Sequence, residues 1–169
     1  MAIATHTVQS PMANIKPPAF QHLFTLEAVL APSLDAGEGP FGRRVLNAVS
    51  EGRFYGERLK GRINPGTGDW MLTRNGIRVV DARIVLLCDD DAIIHMSYGG
   101  RIWFDDAVLP ALASPATRHL IDPSRYYFRT NPVFETGHQK YLWLNQVVGI
   151  GNGRLIEGGG VAYDVFEVT

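Results

Sequence analysis

The sequence predicts an all-β chain folded as an antiparallel, closed β-barrel of about eight to nine strands. Three observations carry this. Short segments rich in β-branched and aromatic residues recur along most of the chain, divided by Gly, Pro, Asn and Asp. Eighteen Gly and ten Pro among 169 residues exceed the roughly 12% of average usage, which implies many tight turns and disfavours a helical bundle. Consecutive hairpins of long strands favour closure, which removes exposed sheet edges. A two-sheet sandwich is the alternative architecture.

Residues 1–18 contain Pro11, Pro17 and Pro18 without periodicity and read as a flexible arm; residues 19–169 read as one barrel domain. Strands are expected at 20–30, 43–49, 53–63, 69–74, 77–88 and 92–103, with a Pro/Asp/Gly-rich loop at 31–40. Asn64-Pro65-Gly66-Thr67-Gly68 has turn chemistry, and Asn75-Gly76 between two apolar runs is a strong hairpin signal. Asp89-Asp90-Asp91 turns the chain. Residues 104–119, broken by Pro110 and Pro115, read as a short helix or irregular crossover. Strands follow at 126–135, 141–150 and 161–168, and Gly149-Ile150-Gly151-Asn152-Gly153 reads as a turn.

A net charge of −1 lacks the basic surplus that phosphate contacts need, so nucleic acid is not an expected partner. No apolar run approaches the roughly 20 residues of a membrane helix, and the N-terminus is not read as a signal peptide, so the expected location is cytoplasmic, with no membrane partner. The single cysteine, Cys88, rules out an intrachain disulfide and a Cys-rich zinc site, and reads as a packed residue. The five His form no HExxH or HxH pattern, so no metal is expected; GxSxG, Walker and Rossmann signatures are also absent.

Acid/base chemistry without a cofactor remains. Strand alternation sorts candidates onto faces. In 77–88 one face carries Asp81 and Arg83 and the other is apolar in its middle; His95 lies on one face of 92–103, Arg129 and Glu135 on one face of 126–135, and Tyr141, Trp143 and Asn145 on one face of 141–150. Carboxylates among aromatics can abstract a proton α to a carbonyl, and guanidiniums can hold the resulting oxyanion. The candidate catalytic groups are therefore the bases Asp81, Asp69 and Glu135 and the anion clamps Arg83 and Arg129. Trp70, Trp143 and Tyr141 are candidates to stack on a substrate, with Asn145 to orient it. The structural alternative is a set of ion pairs that only position strands.

The stretch from Glu51 to Gly61, then Gly68-Asp69-Trp70, Asp81-Ala82-Arg83, Tyr127-Phe128-Arg129-Thr130, Phe134-Glu135-Thr136, Tyr141-Leu142-Trp143-Leu144-Asn145 and the closing Asp164-Val165-Phe166-Glu167-Val168, resembles the bacterial and fungal family called domain of unknown function 3237. The resemblance covers residues 20–168. It implies a small β-barrel similar to that of allene oxide cyclases and dirigent-type proteins, relatives that bind apolar or phenolic ligands in the lumen. Its family-like positions are Asp69, Trp70, Asp81, Arg83, Arg129, Glu135, Trp143 and Asn145. His95 and Tyr98 lie outside the pattern and are candidates to tune substrate choice; Asp89-Asp90-Asp91 stands where the family usually has Gly. The expected function is a cofactor-free lyase, isomerase or cyclase acting on a small hydrophobic, carbonyl-bearing or phenolic molecule. A non-catalytic, lipocalin-like carrier is the alternative, and assembly as a homodimer or homotrimer is a third role open to such a barrel.

Overall fold

The structure, a computed structural model, describes residues 16–114 and 116–169. Of the arm expected at 1–18, residues 1–15 lie outside the described residues.

Ten strands form one antiparallel sheet: β1 (Phe20–Leu30), β2 (Leu34–Gly39), β3 (Gly42–Tyr55), β4 (Lys60–Ile63), β5 (Gly68–Arg74), β6 (Ile77–Cys88), β7 (Ile93–Phe104), β8 (Tyr126–Glu135), β9 (Gly149–Leu155) and β10 (Val161–Val168). The sheet runs β1-β10-β9-β8-β7-β6, passes to β3 through β4 and β5, and closes where β3 pairs with β1. β4 and β5 lie end to end between β3 and β6, so the barrel has eight staves, and β2 pairs with the other edge of β3, the edge that β1 takes further along. Asn75 (φ 50°) and Gly76 (φ 74°) make the left-handed turn between β5 and β6 that their sequence demands. The β7–β8 connection holds a one-turn helix, α1 (Leu109–Leu112), among 3₁₀ turns, where Pro110 at the helix start needs no backbone N–H.

Three local expectations are corrected. The 43–49 and 53–63 segments are one long strand, β3, plus a short β4. The 31–40 loop contains β2. The strand expected at 141–150 is instead a 3₁₀ segment, Gln139–Gln146, and the glycine-rich turn after it is strand β9. Packing, not turn chemistry, explains those glycines. A Cβ at Gly149 would lie 2.8 Å from the Pro132 ring, and one at Gly153 would lie 2.5 Å from the Phe128 ring. The bulky inward residues of β8 thus require a bare backbone beside them. Gly153→Ala is expected to cost about 1–3 kcal/mol through overpacking, read by urea denaturation.

The barrel is open at one end. Phe24, Phe54, Leu86, Ile94, Met96 and Leu144 are fully buried and fill the closed end, which the 3₁₀ segment caps. Toward the other end the inward residues leave space. Among the described residues no helix is long and apolar enough to cross a membrane.

Candidate functional site

The open end holds a cavity of about 610 Å³. Apolar side chains from most staves form its wall, among them Leu26, Val45, Met71, Ile84, Ile102 and Phe128. Polar groups interrupt that wall at a few points, the pattern of a small-molecule site.

Asp69 is the deepest carboxylate in it. Pairing across the staves sets Asn47, Asp69, Ala82 and Tyr98 at one level. Ala82 is small, which leaves room between Asp69 and the Tyr98 ring. Tyr163 reaches the same cavity from β10, its ring 5.7 Å from that of Tyr98 in an edge-on contact. The β5–β6 pairing runs through Asp69–Ala82 and resumes at Leu72–Val79. In the gap the Asp81 N–H donates to Asp69 Oδ1 at 2.8 Å, and Arg44 donates to the Trp70 carbonyl at 2.7 Å. A break in the ladder is thus filled by a side chain that also faces the lumen.

Burial pushes the Asp69 carboxyl up to about 6; the Asp81 N–H works against this, the Asp81 charge with it, and Arg44 against it. Tyr98 and Tyr163 are both pushed up, first by burial and then in part by the nearby Asp69 charge. Asp69 therefore exchanges a proton near neutrality, while the two phenols stay protonated as hydrogen-bond donors. Ser33 donates to Asn47 Oδ1 at 2.7 Å, and Arg43 donates through Nε to Asp35 at 2.9 Å.

Of the residues singled out in the sequence, Asp69 and Tyr98 meet in this cavity. The others lie elsewhere. Asp81 and Arg83 pair at 2.7 Å on the outer wall, each side chain 54% exposed, because the apolar face of β6 is the one turned inward. Their expected place beside the substrate is corrected accordingly. Trp70 is 42% exposed, and His95, Arg129 and Glu135 also alternate to the outside. Arg129 lies over the Tyr127 ring there. Tyr141, Trp143 and Asn145 belong to the cap of the closed end. Tyr141 donates to Asp90 at 3.0 Å, Asn145 clamps the Thr136 backbone through both amide atoms, and Trp143 lies under the Arg58 guanidinium at 4.1 Å. Cys88 is buried and free. Because exposed ion pairs contribute little, Asp81→Asn with Arg83→Gln is expected to change stability by less than about 1 kcal/mol, checked by thermal denaturation.

Sequence reasoning missed Tyr163, Asn47, Asp35, Arg43, Arg78 and Arg118, all of which line the cavity. Alternation held a signal for two of them. Arg78, Val80, Ala82, Ile84 and Leu86 form one face of β6, and Val161, Tyr163 and Val165 form one face of β10. Among the described residues no three His, Cys, Asp or Glu are grouped to hold a metal.

Comparison with known proteins follows the same lines. A UPF0311 protein of Rhodopseudomonas palustris (strain TIE-1) is 32% identical over 133 residues, covering 78% of this chain and 85% of the relative. One from Clostridium acetobutylicum is 31% identical over 135 residues, covering 79% and 84%. A solved β-barrel-like protein from Acinetobacter baumannii superposes with a TM-score of 0.78 at 31% identity, covering 93% of this chain and 99% of that one. An enzyme from Penicillium herquei superposes with a TM-score of 0.65 at 17% identity over 93% and 98%, which establishes a shared fold. The family model described as "Protein of unknown function (DUF3237)" matches residues 18–168, and the chain belongs to that family.

Proposed function

We propose that the barrel is a cofactor-independent acid/base catalyst, of lyase, isomerase or cyclase type, for a small hydrophobic carbonyl-bearing or phenolic molecule held in the lumen. The observation that carries this reading is the Asp69 carboxyl, raised to about 6 inside an apolar cavity and close to two buried phenols. Asp69 takes a proton from the carbon α to the carbonyl, or from a phenol. Tyr98 or Tyr163 donates a hydrogen bond to the oxygen on which negative charge develops. Return of the proton from Asp69 to another carbon completes an isomerisation; loss of a β-substituent completes an elimination. The apolar wall holds the ligand in a reactive conformer, which supplies rate without further chemistry. The same barrel serves an enzyme in Penicillium herquei, so this architecture is compatible with catalysis.

The test uses enones and phenolic ketones in D₂O, with NMR reading deuterium uptake α to the carbonyl. Protein-dependent exchange that Asp69→Asn abolishes, while the variant still binds the compound, supports the reading. Tight binding of the compounds with no exchange by the unaltered protein favours the carrier instead, a reading to which the largely apolar wall also lends itself.

A further inference from the structure

Two guanidiniums face the lumen near its mouth, and among the described residues neither has a carboxylate on it. Arg78 is the first inward residue of β6, and its Cζ lies 4.7 Å from the centre of the Phe104 ring. Arg118, on the 3₁₀ turn Arg118–Leu120 of the β7–β8 connection, lines the same space. One of its terminal nitrogens donates to the Gly159 carbonyl, while its Nε is buried with no hydrogen-bond partner among the described residues. Gly159 adopts φ 80°, a conformation that suits glycine and belongs to the turn presenting that carbonyl. Among the described residues neither arginine forms an ion pair, whereas Arg43, the third cation of the cavity, is taken by Asp35. Burial and the Arg118 charge both weaken the hold of Arg78 on its proton. Gathering two such charges at an apolar mouth is unfavourable until an anion joins them.

We infer that Arg78 and Arg118 form an anion subsite at the mouth of the lumen, which takes the acidic group of an otherwise apolar, aromatic ligand. The inference rests on the lumen being the substrate site proposed above and narrows its substrate class to amphipathic acids. Guanidinium forks suit a carboxylate or sulfonate, whose oxygens they bind in pairs. Phe104 and Leu112 stand beside them for the adjoining ring. Asp69 is level with Ala82, four residues along β6 from Arg78, or about 13 Å of strand. The acidic group and the reacting carbon of the ligand therefore lie toward opposite ends.

The probes are 8-anilinonaphthalene-1-sulfonate and N-phenyl-1-naphthylamine, which share their rings and differ by the sulfonate. Fluorescence titration of the full chain is expected to show tighter binding of the sulfonate. Arg78→Met with Arg118→Met should weaken sulfonate binding about tenfold or more and leave the neutral amine within about twofold. Retained binding of the amine reports that the barrel is folded. Arg78→Lys and Arg118→Lys, which keep the charge, should retain part of the preference. An unchanged sulfonate affinity in the double Met variant, an equal loss of both probes, or no binding of either probe by the unaltered protein overturns the subsite. Neither probe has a carbon α to a carbonyl, so this result is independent of proton exchange. A failed exchange assay beside a sulfonate preference removes the base and keeps the anion subsite; the converse removes only the subsite.

Discussion

Asp69→Asn is expected to lower α-proton exchange by about 10²–10⁴-fold at pH 7.5, the usual range for losing a positioned general base. The side chains are close in size, and an Asn Oδ1 still accepts the Asp81 N–H that holds the β5–β6 gap. Ligand binding should therefore survive. With the carboxyl raised to about 6, exchange by the unaltered protein should climb as pH rises through 6 and level off above it, because only the ionised form abstracts a proton. The variant should lose that limb of the profile. Stability should move in the opposite sense. A carboxyl that holds its proton more tightly when folded favours the folded state below its unfolded value of 3.8, and that advantage is lost as pH climbs toward 6. Above 6 the protein carries a buried charge that Asn lacks, so the variant should be more stable by up to about 3 kcal/mol at pH 7.5 and gain nothing near pH 3. Thermal denaturation at the two pH values checks this. A variant less stable at pH 7.5 would mean that the ionised carboxylate locks the strands together, and the base assignment would fall with it.

The barrel was legible because its signals are local. Alternation over 77–88, the Asn75-Gly76 turn and the proline-broken crossover each depend on neighbouring residues, and each appears where the sequence puts it. Strand β9 escaped because its glycines answer to Phe128 and Pro132 across the sheet, not to the residues beside them. The site was harder to read for a related reason. Period two divides β6 into two faces but does not say which is inside. The mixed face of Asp81 and Arg83 resembles a polar lumen as much as a solvated wall, and only closure of the sheet turns it outward. Asp69 was separable from Asp81 by what alternates with it. Met71 and Thr73 share its side of β5 and line the cavity, whereas Asp81 shares its side of β6 with Arg83. The 3₁₀ cap misled in the same way, since Tyr141, Trp143 and Asn145 have strand-like spacing but serve to close the far end.

That far end supplies the second large effect. Arg58 sits in the loop between β3 and β4, and its guanidinium lies 2.6 Å from the carboxylate of Glu167, a residue only 7% exposed near the end of β10. The same guanidinium covers the Trp143 ring, so one side chain joins the loop, β10 and the cap. Arg58→Ala strands a buried carboxylate and uncovers the indole. The expected cost is about 2–3 kcal/mol, at or below the lower edge of the range for breaking a buried pair because the Arg58 side chain is itself 37% exposed. Arg58→Lys keeps the charge but not the planar contact and should fall between. In the double variant Arg58→Ala with Glu167→Gln no carboxylate is left behind. Urea denaturation should therefore give a loss smaller than the sum of the single changes by at least about 1 kcal/mol. Strict additivity would mean that the apolar core alone seals this end. The open end has no part in these contacts, so affinity for lumen probes should stay within about twofold in every variant that remains folded. A matching fall in probe affinity would mean that the seal also holds the staves around the cavity in place, joining the stability of the closed end to the shape of the site.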